Sequence, residues 1–258
     1  MRRNLVVAAV AAGILLACCS ASQADWPDGR LVQADTTADM DGDGRPDAIH
    51  VAWFSTDGGY GFDRVVIQVN RALLADRGDA LAQRFSVVDI DSADGRQEIA
   101  IGESGPSDDY ATHFYRYSAG AVSKIGLLPG HPQMIDGSGA VATTCRGRVL
   151  ETWWYPCRFR VAADEGDFER IPERYHEMNT PVRLKIDLPV SPTPWDSTDA
   201  GWIRAGEAAH LRRTDDEAWC EIESEHGVRG WFPLVGYSFI PTVKRHAMDV
   251  FDGLSMAD

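Results

Sequence analysis

An acidic, glycine-bearing loop occurs twice, each time directly before a run of alternating apolar residues, and this pairing restricts the chain to a strand-based fold. Asp39-Met-Asp-Gly-Asp-Gly-Arg-Pro-Asp47 leads into Ala-Ile-His-Val-Ala-Trp-Phe54. Fifty residues on, Asp89-Ile-Asp-Ser-Ala-Asp-Gly-Arg-Gln-Glu98 leads into Ile-Ala-Ile-Gly102, with one extra residue before its Asp94-Gly95. Closely spaced carboxylates repel one another, so a folded chain keeps such a cluster mainly where a hard cation neutralises it. Oxygen ligands at alternate positions of a tight loop suit Ca²⁺, and glycine allows the sharp turn. The candidate ligands are Asp39, Asp41, Asp43, the backbone carbonyl of Arg45 and Asp47 in the first loop, and Asp89, Asp91, Asp94 and Glu98 in the second. The alternation that follows each loop, rich in β-branched and aromatic residues, reads as a strand.

An EF-hand does not fit: its twelfth position requires a bidentate Glu, here His50, and its loop is flanked by helices. A calcium loop feeding a strand resembles the repeats of integrin-type (FG-GAP or VCBS) propellers, in which Asp-x-Asp-x-Asp-Gly-x-x-Asp precedes one strand of each blade. The resemblance covers two units, with a remnant of a third in Ile135-Asp-Gly-Ser-Gly-Ala-Val141, which keeps a single carboxylate and reads as a turn. Residues 25–177 continue the all-β pattern in Arg64–Val69, Phe85–Ile90, Thr112–Tyr117 and Arg158–Val161, interrupted by one short predicted helix over Arg71–Gln83. A closed propeller needs at least about four blades of roughly 40–50 residues. The expectation is therefore an open array of blade-like units, a partial propeller, or a compact β-sandwich carrying the loops.

The N-terminus points to export. Arg2-Arg3, the apolar run Leu5–Ala17 and Cys18-Cys19-Ser20 have the order of a secretory signal and are too short for a membrane span. Leu15-Leu16-Ala17-Cys18 resembles the bacterial lipobox, which implies a signal peptide over 1–17, lipidation of Cys18 and an anchor in the cell envelope. The alternative is a plain signal cut near Ala21 or Ala24 and an unanchored product. In an oxidising compartment Cys145 and Cys157 are expected to form a disulfide across a hairpin. Zinc is disfavoured because no CxxC pair or histidine spacing supports it. Without Arg2 and Arg3 the balance is 23 − 39 = −16, which repels nucleic acid and anionic lipid head groups.

Pro181, Pro189, Pro192 and Pro194 introduce a second module, residues 178–243, followed by a tail, 244–258. Gly206-Glu207, Trp219, His226-Gly227 and Gly230-Trp231-Phe232 follow the order of turns and strand openings in bacterial SH3 (SH3b) domains. The resemblance spans 182–243 and implies a small β-barrel that recognises wall peptide, glycan or a partner protein. Trp202, Trp231 and Tyr237 are the binding candidates, while Trp219 and Trp231 suit a barrel core better than a groove.

No catalytic motif is present: there is no Gly-x-Ser-x-Gly, His176-Glu177 lacks a second histidine, and Cys220 lies inside the expected barrel. One polar loop, Glu103-Ser-Gly-Pro-Ser-Asp-Asp-Tyr110 with His113 close behind, keeps a hydrolase of envelope polysaccharide or peptidoglycan open through Glu103, Asp108 and Asp109. The sequence reading is thus an exported, lipid-anchored envelope binding protein with structural Ca²⁺. The alternatives are that hydrolase and a structural accessory subunit of an envelope complex.

Overall fold

A computed structural model describes residues 31–55, 61–105, 109–150, 153–162, 167–196, 198 and 201–255. The signal segment, Cys18 and Asp108 lie outside the described residues. The fold is all-β, with one short helix among the described residues. Strands β1 (Leu31–Ala38), β2 (Asp47–Phe54), β3 (Phe62–Val69), β4 (Ala72–Val88), β5 (Glu98–Glu103), β6 (Ala111–Ser118) and β7 (Ala121–Pro129) form one antiparallel meander in sequence order. The sheet curls, because β4 also approaches β1 and β7 across its concave side. A four-stranded sheet follows, ordered β11-β10-β9-β8 from β8 (Met134–Ile135), β9 (Ala140–Arg146), β10 (Trp154–Val161) and β11 (Phe168–Arg170).

The strand pairing contains one unit three times. In the first unit β1 pairs β2 across the first acidic loop, β2 pairs β3, and β3 pairs β4 as far as Leu81. In the second, the end of β4 (Phe85–Val88) pairs β5 across the second loop, β5 pairs β6, and β6 pairs β7. In the third, β8 pairs β9 across the remnant loop, then β10 and β11 follow. Strand β4 closes one unit and opens the next; it breaks register between Leu81 and Phe85, and Ala80 beside the break sits at φ 48°. Strand β2 alternates strictly inward and outward, with Ile49, Val51 and Trp53 all fully buried, whereas β6 is buried along Thr112–Tyr115 and shifts register against β7 between Phe114 and Tyr115.

The helix expected over Arg71–Gln83 is instead the first two-thirds of β4. Its Ala-, Leu- and Arg-rich composition favours a helix, yet the segment pairs with β3 on one side and continues into pairing with β5 on the other. Inward Leu74 and Asp76 alternate with outward Leu73, Ala75 and Arg77. The hairpin turn Asn70-Arg71, with Asn70 at φ 53°, sets this register. Tertiary pairing overrides local propensity here.

The remaining chain builds a second sheet, ordered β17-β16-β15-β12-β20, from β12 (His176–Leu184), β15 (Ala208–Thr214), β16 (Trp219–Ser224), β17 (Arg229–Pro233) and β20 (Phe251–Asp252). The pairs β13 (Leu188–Val190) with β14 (Gly201–Ile203) and β18 (Phe239–Ile240) with β19 (Arg245–His246) flank it, and α1 (Ala247–Val250) precedes β20. Its core is shared with the third unit: Cys145, Val149, Trp153 and Tyr155 pack in one cluster with Leu184, Leu211, Ile222 and Phe232. Cys145 and Cys157 are disulfide-bonded across the β9–β10 hairpin, and Arg148 and Val149 donate backbone N–H groups to Asp216 on the far sheet.

Candidate functional site: a row of acidic loops

The three loops share local geometry. Asp43, Asp94 and Asp136 each accept a hydrogen bond from the backbone N–H two residues on, at 2.8, 2.8 and 3.2 Å. This is the Asx-turn that aspartate offers before glycine. Asp41 and Asp91 repeat it one step earlier in the first two loops. The aligned sequences are then Asp43-Gly-Arg-Pro-Asp47, Asp94-Gly-Arg-Gln-Glu98 and Asp136-Gly-Ser-Gly-Ala140. Gly44, Gly95 and Gly137 stand at φ 81°, 67° and 75°, a region that explains glycine at this position.

The carboxylate that ends each full loop folds back on it. Asp47 accepts the N–H of fully buried Met40 at 2.9 Å, and Glu98 accepts that of fully buried Ile90 at 3.2 Å. The longer Glu side chain spans the extra residue of the second loop. Successive loops are also tied to one another: Gln97 donates to the carbonyl of Met40, and Gly139 donates to that of Ile90. Gly42 packs on the Gly95 carbonyl so closely that no Cβ fits, and at the next junction Ser92 N–H binds the Gly137 carbonyl at 3.0 Å. The loops form a row in which one backbone bond, to the carbonyl of Met40 and then of Ile90, recurs at both junctions. In the first unit the donor position is Pro46, which has no N–H to give, so the relay begins there.

The row differs from loop to loop in charge. In the first loop, carboxylate oxygens of Asp39, Asp41 and Asp43 lie within 4.8 Å of one another, and no other such group of His, Cys, Asp or Glu occurs among the described residues. Asp39 is held by the N–H groups of Gly42 and Gly44, each at 2.9 Å. Asp47 is not part of the trio: its other oxygen accepts from Asn70 Nδ2 at 2.6 Å. The Arg45 N–H is taken by Asp43. In the second loop, Asp89, Asp91, Asp94 and Glu98 do not converge. Arg116 from β6 lies between two of them, 2.7 Å from Glu98 and 3.7 Å from Asp94. Burial raises the Glu98 carboxyl above its ordinary range, and Arg116 offsets part of that shift. A guanidinium thus occupies Asp94 and Glu98 of the second loop, while the first loop's trio has no basic partner among the described residues. Asn70 and Arg116 were not singled out in the sequence; Asn70 ends a strand at a hairpin, which was the one local signal.

A second polar cluster lies inside the curl. His113 Nε2 is 2.5 Å from Glu103 on β5, and its Nδ1 is 3.9 Å from Asp76 on β4. Asp76 accepts from Tyr115 Oη at 2.9 Å and pairs with Lys124 on β7 at 2.8 Å. Burial would raise Asp76, but Lys124, the Arg77 N–H and Tyr115 outweigh it and hold the carboxyl below its ordinary range. Burial and the Asp76 charge push the Tyr115 phenol upward. Of the loop considered for catalysis, Glu103 therefore meets His113, Asp109 meets Arg146 at 3.5 Å, and Tyr110 stacks on His131.

Among the aromatic candidates of the C-terminal sheet, Trp202 and Tyr237 are 42% and 62% exposed, whereas Trp231 is 4% exposed, packed by Tyr175 and Arg213. Trp219 sits beside Trp195, which is 68% exposed. Cys220 is buried and its thiol is raised well above its ordinary range by that burial, which makes it inert as a nucleophile. No protein-family model matches this chain, and no curated protein matches it in sequence.

Proposed function

We propose that this is an exported envelope binding protein, anchored through a lipidated Cys18, whose β array carries structural Ca²⁺ at its first loop. Its C-terminal module, resembling SH3b domains, engages wall peptide, glycan or a partner protein. The observation that carries the calcium part is the convergence of Asp39, Asp41 and Asp43 at the head of a row of interlocked loops. Asp41 and Asp43 are exposed, so a cation keeps water ligands there, as exported calcium sites with dissociation constants of about 10⁻⁴ to 10⁻³ M do. At tenfold that concentration, binding adds about 1.4 kcal/mol to stability, enough to order a loop. The recognition part draws support from the exposed Trp202 and Tyr237.

Co-sedimentation with peptidoglycan sacculi tests this reading, using the full chain in calcium and in chelator beside a Trp202→Ala, Tyr237→Ala variant. The expected result is retention of the full chain and release of the variant. No retention in either condition overturns wall recognition and directs the search to protein partners. The hydrolase reading is favoured by one observation, the Glu103–His113 contact. Under that reading Glu103→Gln abolishes release of soluble glycan from sacculi without changing retention.

A further inference from the structure

A groove of about 420 Å³ runs between the second and third units, on the face of the sheet opposite the Glu103–His113 cluster. Its floor is the outward side of β4 and β5, where Ala82, Ser86, Ala100 and Gly102 present almost no side chain. Its wall is the connector into the third unit, including His131, Met134 and Ile135. The His131 ring is fixed from two sides. It stacks on Tyr110 with centroids 4.6 Å apart, and a Cβ on Gly102 would lie 3.5 Å from its Cε1.

Polarity is divided along this groove. Arg84 stands at the β4 bulge opposite Gly102, so guanidinium and imidazole flank one end of the floor, while Val88, Ile135 and the half-exposed Met134 make the other end apolar. No carboxylate among the described residues pairs with Arg84, although the chain carries a net charge of −14. An unpaired guanidinium forks naturally onto a carboxylate. The floor strand from Arg84 to Val88 extends roughly 13 Å at the rise of a β-strand, the span of a short extended chain. The volume lies within the usual range for small-ligand sites.

We infer that this groove holds the C-terminal end of an extended peptide with small apolar side chains, its free carboxylate on Arg84 beside His131. Small floor residues leave room for a peptide carrying methyl-sized side chains to lie close against the sheet. The inference is independent of calcium and of the C-terminal module.

The test is a chemical-shift titration of the ¹⁵N-labelled chain with acetyl-Ala-Ala, with its C-terminal amide, and with benzoate. The expected result is saturable movement of the Gly102 and His131 amides with the free acid, with a dissociation constant on the order of millimolar. The amide should bind at least about tenfold more weakly, the loss of one charge-assisted contact. Arg84→Gln should bring the acid down to the level of the amide. Ala82→Phe, which fills the floor beside Gly102, should abolish binding while amides of the C-terminal sheet keep their positions. The inference is overturned if the acid moves neither amide at about 20 mM, or if acid and amide bind equally. Benzoate matching the peptide also overturns it, since any carboxylate would then suffice.

Discussion

Replacing Asp47 by alanine separates a structural role for this carboxylate from a ligand role. Asp47 is 8% exposed and accepts two hydrogen bonds, from the fully buried Met40 N–H at 2.9 Å and from the Asn70 amide at 2.6 Å. Alanine leaves the Met40 N–H without an acceptor, which costs about 1–3 kcal/mol, and removes a bond to a charged acceptor worth about 1.5 kcal/mol. Together the loss is about 3 kcal/mol. Asparagine keeps an acceptor for Met40 and loses only the Asn70 contact, so it costs about 1.5 kcal/mol. Both variants are measured in chelator by urea unfolding and by hydrogen exchange at Met40. The alanine variant should exchange about a hundredfold faster there. Asp41→Ala, an exposed Asx-turn residue, should cost under about 1 kcal/mol. Asp47→Ala within about 0.5 kcal/mol of wild type in chelator, or Asp47→Asn as costly as alanine, would refute the assignment of this residue to the fold-back.

Reducing the Cys145–Cys157 bond, which closes a loop of sequence separation 12, should lower unfolding free energy by about 3 kcal/mol, read from urea curves with and without reductant. Burial would raise Glu221, but hydrogen bonds from Arg229 and Arg213 outweigh it and depress its carboxyl from 4.5. A depressed folded value stabilises above the unfolded value and is lost as pH falls through the folded one. Glu221→Ala should therefore cost about 1–3 kcal/mol near neutrality and flatten the loss of stability on acidification below about pH 4.5. Ala80→Gly should stabilise by up to about 1 kcal/mol in thermal unfolding, because φ 48° strains alanine and glycine relieves it, less the entropy glycine adds to the unfolded chain.

What could be read from the chain in advance follows the range of the forces involved. Alternation in 48–54 survives as a strand because each residue's facing is a local, period-two property. The Asp-Gly steps at 43–44 and 94–95 announce their turns because left-handed backbone and Asx bonding involve only neighbours. The disulfide was legible because a hairpin separates its two cysteines. Residues 72–83 were not, since what makes them strand is pairing with partners on both sides rather than anything in their own propensities. The partners that decide the loops' charge were equally hidden: Arg116 reaches Glu98 from 18 residues away and Asn70 reaches Asp47 from 23. Those distances close only once the meander has formed. The same holds for the cluster of His113 with Asp76, Tyr115 and Lys124, assembled from three strands around it.

The claim at the centre is that the first loop, and not the second, holds a divalent cation within the row. Calorimetric titration of CaCl₂ into the full chain, beside an Asp41→Asn, Asp43→Asn variant and an Asp91→Asn, Asp94→Asn variant, tests it directly. The account predicts one site per chain with a dissociation constant of about 10⁻⁴ to 10⁻³ M, lost in the first variant and kept in the second. No binding by the wild-type chain up to about 10 mM, or binding that survives in the first variant, would contradict it.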